Sequence, residues 1–146
     1  MPLFSKKDRK NATRLLPLPT VPCNNDLLAE NYIDDGQAMR IIDYEYSGNN
    51  DPCFKLGNTC QELHYDEAWI IEVCTSYFGS PSKDKIARMK LYMLMSDVGW
   101  ALWAAIQANI SKIKYNFWGW AVDRWDRAIE KMDSPTFPVW LEDVQN

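Results

Sequence analysis

Apolar residues along this chain recur at two periods, and the change of period divides it. Tyr32-Ile33 and Met39–Ile42 are short β-type runs with Asp34-Asp35-Gly36-Gln37 between them, a pattern that predicts a hairpin. From Phe54 onward the period becomes helical. Phe54–His64 predicts one helix, with Phe54, Leu56 and Cys60 for burial. Asp66 is placed to cap a second, Glu67–Phe78, in which Trp69, Ile70, Val73 and Tyr77 recur at helical spacing, and Gly79, Ser80 and Pro81 end it. A long helix starts at Ser82 or Asp84 and reaches about Ile110. Its apolar side is Ile86, Met89, Met93, Leu94, Val98, Ala101, Leu102, Ala105 and Ile106. A last helix runs from about Lys112 to Met132, where Trp118, Val122, Trp125, Ile129 and Met132 make one stripe and Phe117, Trp120, Arg124 and Ala128 its neighbour. Trp118 and Trp125 are expected in the core, as tryptophan at helical spacing usually is. Pro135 and Pro138 stop this helix.

Ahead of the hairpin, residues 1–14 are basic and polar and read as a solvated tail. Residues 15–22 hold three prolines and read as an extended lead-in. Asn24–Asn31 is expected to be a loop, and Ser47–Cys53 another, since Gly48, Asn49, Asn50, Asp51 and Pro52 are all turn formers. The fold class is therefore mainly α with a short β-hairpin (α+β). Residues 1–21 form a tail and lead-in, 22–134 the folded unit and 135–146 a C-terminal tail.

Composition narrows what such a unit does. At 146 residues, with 47% hydrophobic content and seven Trp, the chain holds a real core in one domain. The net charge of −4 argues against nucleic acid as a partner. Residues 1–14 carry +4 of it, which leaves −8 elsewhere; that acidic remainder suits a metal and a cationic substrate. The four cysteines form no CxxC pair and His64 is the only histidine, so the spacing offers no zinc site. MPLFSKKDRK has no apolar stretch of the secretory kind, and reduced thiols in a cytoplasmic protein are expected. Leu91–Ile110 has the length of a membrane span, but Ser96, Asp97, Gln107 and Asn109 interrupt it, so a buried amphipathic helix is expected instead. No GxSxG accompanies His64, which reads as a surface residue.

The polar residues from Pro22 to Leu63 carry the candidate chemistry. Asp26 is followed five residues on by Asn31, then by Asp43 and Glu45, then by Asn58 and Glu62. The hairpin would bring Asn31, at its start, near Asp43, at its end, so the two could share a metal. Magnesium prefers such oxygen ligands and often takes only one or two from the protein. Asp43 and Glu45, two apart on a strand, would share a face. Further along, GWALWAAIQANISKIKYNFWGW sets Trp100 and Trp103 on one helix face, with Tyr115, Phe117 and Trp120 following. Aromatic faces attract a quaternary ammonium through their quadrupoles.

These residues also carry a family resemblance. NDLLAEN, then IDYEYSGNN, then FKLGNTCQE resemble the catalytic half of choline/ethanolamine kinases, within the wider aminoglycoside-phosphotransferase-like group, from about Pro22 to about Met132. The resemblance implies the C-lobe of a protein-kinase-like fold and ATP- and magnesium-dependent phosphoryl transfer to the hydroxyl of choline or a similar amino alcohol. It implies Asp26 as the base facing the hydroxyl and Asn31 and Asp43 as magnesium ligands, with Glu45 in support. Tyr46, Glu62, Trp100, Trp103, Tyr115, Phe117 and Trp120 would hold the ammonium head. Two positions depart from the family pattern: Asn24 stands where histidine is common, and Lys55 where an acid braces the catalytic loop. No glycine occurs before Gly36, so nothing ahead of Pro22 supplies a nucleotide-covering loop. The resemblance is thus to the C-lobe with the N-lobe absent, and it implies weakened ATP use unless a missing N-lobe or a homodimer partner completes it. The alternatives are a kinase for ethanolamine, an aminoglycoside or another small hydroxylated substrate, and a non-catalytic choline-binding or partner-binding remnant.

Overall fold

The computed structural model describes residues 17–145; the basic tail expected over residues 1–14 lies outside them. The lead-in ends in β1 (Val21–Cys23), and a single 3-10 turn (Ala29–Asn31) follows. β2 (Tyr32–Asp34) and β3 (Met39–Ile41) then form the expected hairpin, antiparallel with Ile33 opposite Arg40. Its turn is held by carboxylates: Asp34 accepts from the Gly36 amide at 2.8 Å, and Asp35 from those of Gln37 and Ala38 at 2.9 and 2.8 Å. Gly36 adopts φ +81°, where a side chain would be strained.

One expected loop is a strand. Gly48–Asn50 forms β4 and pairs antiparallel with β1, Val21 opposite Asn50. Three turn-forming residues hold this register because Asn25 latches it from the side. Its amide donates to the Tyr46 carbonyl at 2.9 Å and its oxygen accepts from the Asn50 amide at 3.0 Å.

Four further helices follow a first one that begins earlier than expected. α1 (Pro52–Glu62) takes Asp51 as its N-cap, accepting from the Cys53 amide at 2.8 Å, with Pro52 in the first turn. α2 (Glu67–Phe78) starts at the expected cap, Asp66, and ends at Gly79 in the left-handed region, φ +80°. α3 (Lys83–Ile110) spans 28 residues, about 42 Å. α4 (Phe117–Asp133) starts five residues later than expected, because Asn116 caps it by accepting from the Gly119 amide at 3.0 Å. The stretch read as a C-terminal tail contains a short helix, α5 (Phe137–Asp143), which packs on α3. Among the described residues no helix is long and apolar enough to cross a membrane.

The main core lies between α1, α2 and α3, where Cys53, Cys60, Ile70, Cys74, Met89 and Met93 are buried together. All four cysteines are buried thiols without disulfides. Burial pushes Cys53 and Cys60 up to about 12, so they pack as small hydrophobes rather than react. Gly57 lets α1 and α3 approach: a Cβ there would sit 2.5 Å from the Met89 carbonyl oxygen and 3.2 Å from the Tyr92 Cβ. Gly57→Ala gains about 1 kcal/mol of helix propensity, yet it should lose about 1–3 kcal/mol net by forcing the helices apart. Urea unfolding followed by far-ultraviolet circular dichroism would read the sign directly.

The inward faces of the helices differ from those the apolar pattern predicts. On α2, Ile70 and Cys74 are buried while Trp69 and Tyr77 are exposed. On α3, Met89, Met93, Leu94, Ala101 and Ala104 face inward with Ser96 and Asp97, and Leu102 and Ile106 face outward. On α4 the buried residues are Ala121, Arg124 and Ala128, and Trp118 and Trp125, expected in the core, are 63% and 45% exposed. The reason is electrostatic. Asp97 of α3 is fully buried, and Arg124, Arg127 and Lys131 of α4 all turn toward it. Small alanines on both helices permit the close packing these pairs need, and the large apolar stripe of α4 is rotated outward. α3 and α4 make the most extensive helix pairing in the fold.

Candidate functional site

The site is built where the Asp26 loop, the end of the hairpin and the α3–α4 layer meet. Asn24 joins two of its parts. Its side-chain oxygen accepts from the Asp26 amide at 2.9 Å, while its nitrogen donates to the Asp43 carbonyl at 2.6 Å. Asn31 adds a second tie by donating to the Asp26 carbonyl at 2.8 Å, and its own carbonyl accepts from the Ile42 amide at 3.0 Å. Asp26, Asn31 and Asp43 are thereby held in one frame. Asn25 and Asp43 sit at φ +68° and +61°, a region that Asn and Asp tolerate better than other side chains.

Asp26 is 8% exposed, and its Oδ1 has no hydrogen-bond partner among the described residues. Burial pushes its carboxyl above the usual carboxylate range. The charges of Asp43, Glu62 and Glu45 push the same way, and Arg124 opposes them. A buried carboxylate with one oxygen left over and three acids around it suits a group that takes a proton beside a bound cation.

In front of Asp26 opens a pocket of about 210 Å³, lined by Asp26, Leu28, Glu45, Tyr46, Trp100, Trp103 and Trp120. Its aromatic walls meet edge to face: Tyr46 with Trp100 at 6.2 Å between ring centroids, Trp100 with Trp103 at 5.7 Å, and Trp103 with Trp120 at 6.0 Å. Trp100 is also held by its indole N–H, 3.4 Å from the Asn58 oxygen, which accepts from Ser96 Oγ at 2.5 Å as well. Phe117 and Tyr115 stand behind this wall. Phe117 lies 5.9 Å from Trp103, and the exposed Tyr115 lies 5.0 Å from Phe117.

Glu62 is placed differently from the other expected pocket residues. Its side chain is 6% exposed, and both its oxygens accept from Arg124, at 2.7 and 2.6 Å. It is not part of the pocket lining. Arg124 in turn lies over the ring of Trp120, 4.3 Å from its centroid. In the sequence Arg124 shares a stripe with Trp120, and nothing there assigns it a role. The available signal was the i, i+4 spacing of a cation after an aromatic.

Among the described residues no three His, Cys, Asp or Glu side chains cluster so as to hold a metal alone. The donors present are hard oxygens, on Asn31 and Asp43, beside the partnerless Oδ1 of Asp26. That set fits magnesium, which completes its shell with phosphate and water.

No protein-family model matches the chain. It is 33% identical over 135 residues to ethanolamine kinase 1 of Mus musculus, a match covering 75% of this chain and 37% of that protein. It is 29% identical over 119 residues to protein LicA of Haemophilus influenzae, covering 77% of this chain and 43% of that one. The crystal structure of a choline/ethanolamine kinase family protein from Mesorhizobium loti superposes with a TM-score of 0.84 at 33% identity, over 94% of this chain. The chain belongs to the choline/ethanolamine kinase family. It spans 37% and 43% of the length of those two curated relatives, and 47% of that solved chain. Its mainly helical fold with two small antiparallel sheets is that of a C-lobe.

Set against the choline/ethanolamine kinase pattern, Asn24 bonds to both the Asp26 and the Asp43 segments, so a residue other than histidine bridges the loop here. Lys55 sits half-buried on α1, and its charge acts on the Cys23 thiol beside that loop.

Proposed function

We propose that this chain provides the acceptor side of an ATP-dependent phosphoryl transfer to the hydroxyl of choline or a closely similar amino alcohol. The carrying observation is that the buried Asp26 and four aromatic residues, Tyr46, Trp100, Trp103 and Trp120, line one small pocket. An ammonium among these rings puts a hydroxyl two carbons away within reach of Asp26. Asp26 accepts the hydroxyl proton as the oxygen attacks the γ-phosphorus of ATP and the bond to the ADP oxygen breaks. Its raised carboxyl is the better base for that step. Asn31 and Asp43, with Glu45 in support, would hold magnesium, which supplies positive charge for the phosphate oxygens when bound. Tyr115 and Phe117 brace the aromatic wall from behind.

Choline is preferred to ethanolamine on the chemistry of the walls. A primary ammonium brings three N–H donors that want acceptors, whereas a trimethylammonium wants aromatic faces. The pocket offers four rings, and Glu62, the further acid expected there, is taken by Arg124. The names of the mammalian relatives favour ethanolamine as the second reading, with Glu45 and Asp26 as its acceptors. Lys55, in place of a bracing acid, favours a third, a choline-binding remnant without turnover.

Calorimetric titration of the chain with choline, and with ethanolamine, separates these readings. Saturable choline binding at least about tenfold tighter than ethanolamine supports the proposal, tenfold being about 1.4 kcal/mol. The reverse order assigns the pocket to ethanolamine. Repeating the titration with magnesium-ATP tests the remnant reading, since the nucleotide tightens choline binding at a phosphoryl-transfer site and leaves it unchanged in a remnant.

A further inference from the structure

Resting on the choline-pocket reading above, we propose that Arg124 and Glu62 act as a pair of positioning residues: Arg124 backs the Trp120 ring, and Glu62 serves the pocket by neutralising Arg124 rather than by touching the substrate. Arg124 is 5% exposed and covers one face of Trp120, yet it is absent from the pocket lining, so the pocket meets that ring elsewhere on its surface. A cation against an aromatic ring uses the same quadrupole that a bound ammonium would use. Unneutralised, Arg124 would make Trp120 a poor wall for a second cation.

Glu62 removes that conflict. Its two oxygens meet the two terminal nitrogens of Arg124 at 2.7 and 2.6 Å, the fork geometry that holds a guanidinium most firmly. The next acid, Asp97, is 3.6 Å from Arg124 and already serves Arg127 and Lys131. Glu62 is therefore the chief counter-charge. The pair also fixes the tilt of Trp120, because a bidentate guanidinium cannot swing away from the ring it covers. The burial of Arg124 Nε without a partner among the described residues fits a side chain placed for its charge and its flat face rather than for full hydrogen bonding.

The expected size follows from the charge left behind. With Glu62 neutral, a guanidinium 4.3 Å from the Trp120 centroid and an ammonium within about 6 Å of it stand at most roughly 10 Å apart, which at an effective dielectric of about 20 weakens binding about tenfold after partial compensation by Asp97. The test compares choline with its uncharged isostere 3,3-dimethylbutan-1-ol on the full chain. Glu62→Gln should weaken choline about tenfold and leave the neutral isostere within about twofold. The double variant Glu62→Gln with Arg124→Met should bring choline back to within about threefold of the unaltered chain. Arg124→Lys, which keeps the charge but loses the fork to Glu62 and the flat face over Trp120, should weaken choline and the neutral isostere alike.

Loss of both ligands in step in Glu62→Gln would mean a role in shape alone and overturn the proposal. A double variant as weak for choline as Glu62→Gln would mean that Glu62 meets the ammonium directly, and an Arg124→Lys variant that binds both ligands as the unaltered chain does would remove the fork and the flat face from the argument; each overturns the proposal while leaving the pocket standing. A folded, unaltered chain that binds no choline overturns the pocket reading and this one together.

Discussion

Asp97→Ala is expected to cost about 3–5 kcal/mol, the usual loss when one partner of a buried ion pair is removed. That is a large share of the roughly 5–15 kcal/mol that holds a domain together. Asp97 is fully buried at the middle of α3 and collects cations from three turns of α4. Arg127 Nε reaches its two oxygens at 3.1 Å each, Lys131 Nζ lies 2.9 Å from Oδ2, and Arg124 lies 3.6 Å from Oδ1. Alanine leaves these charges with Glu62, the Gln61 oxygen, a partner of Lys131, and the charge of Glu130 to answer them. Urea unfolding followed by tryptophan fluorescence would show the midpoint falling steeply.

The pH dependence of that loss is a second reading of the same cause. Burial holds the Lys131 ammonium below the ordinary lysine value of 10.5, and Asp97 pulls it back up. Without Asp97 the folded value drops further while the unfolded value stays. Between those two values the unfolded chain binds more protons, so stability rises with pH through that window. The variant should therefore recover part of its loss as pH climbs toward 10.5, and the unaltered chain should gain less. A loss under about 1 kcal/mol at neutral pH would mean that the cations simply turn outward, as exposed pairs do. Replacing Asp97, Arg127 and Lys131 together by apolar residues of similar volume should be far less damaging than Asp97→Ala, since the cost lies in stranded charge.

The same network explains what was legible in the sequence. The hairpin was legible because its turn is made by its own residues, Asp34, Asp35 and Gly36. The caps Asp66 and Gly79 were legible for the same local reason. The pairing of β1 with β4 was not, since it is fixed by Asn25 reaching residues 21 and 25 positions away. The inward face of α4 was not either. Periodicity ranks faces by apolar content, and here a buried carboxylate on another helix outweighs Trp118, Val122, Trp125 and Ile129. In the site, spacing put Trp100 and Trp103 on one helix face, while Trp120, on the next helix, was added only by the family resemblance; all three line one pocket. Glu62 could not be placed from spacing, because the arginine that takes both its oxygens is 62 residues away.

Trp103→Ala is expected to weaken choline binding about 30-fold or more while leaving the chain folded. Trp103 is the ring on which the others close: Trp100, Phe117 and Trp120 all meet it edge to face, at 5.7, 5.9 and 6.0 Å. Removing it takes away one cation–π contact, worth about 0.5–2 kcal/mol, and the support that sets the angles of two more. Together these come to about 2–3 kcal/mol, or about 30- to 150-fold in affinity. The cost to the fold should be smaller than the 3–5 kcal/mol of a fully buried tryptophan, since Trp103 is only partly buried and lies outside the core of α1, α2 and α3. Calorimetry with choline and thermal unfolding on the same sample separate the two effects. Trp103→Phe, which keeps a face but less of it, should fall between the two. If Trp103→Ala unfolds the chain and Trp103→Phe binds choline as the unaltered chain does, the residue is packing and the ammonium is held elsewhere; binding that falls in the order Trp, Phe, Ala at nearly constant stability makes these rings the substrate's walls.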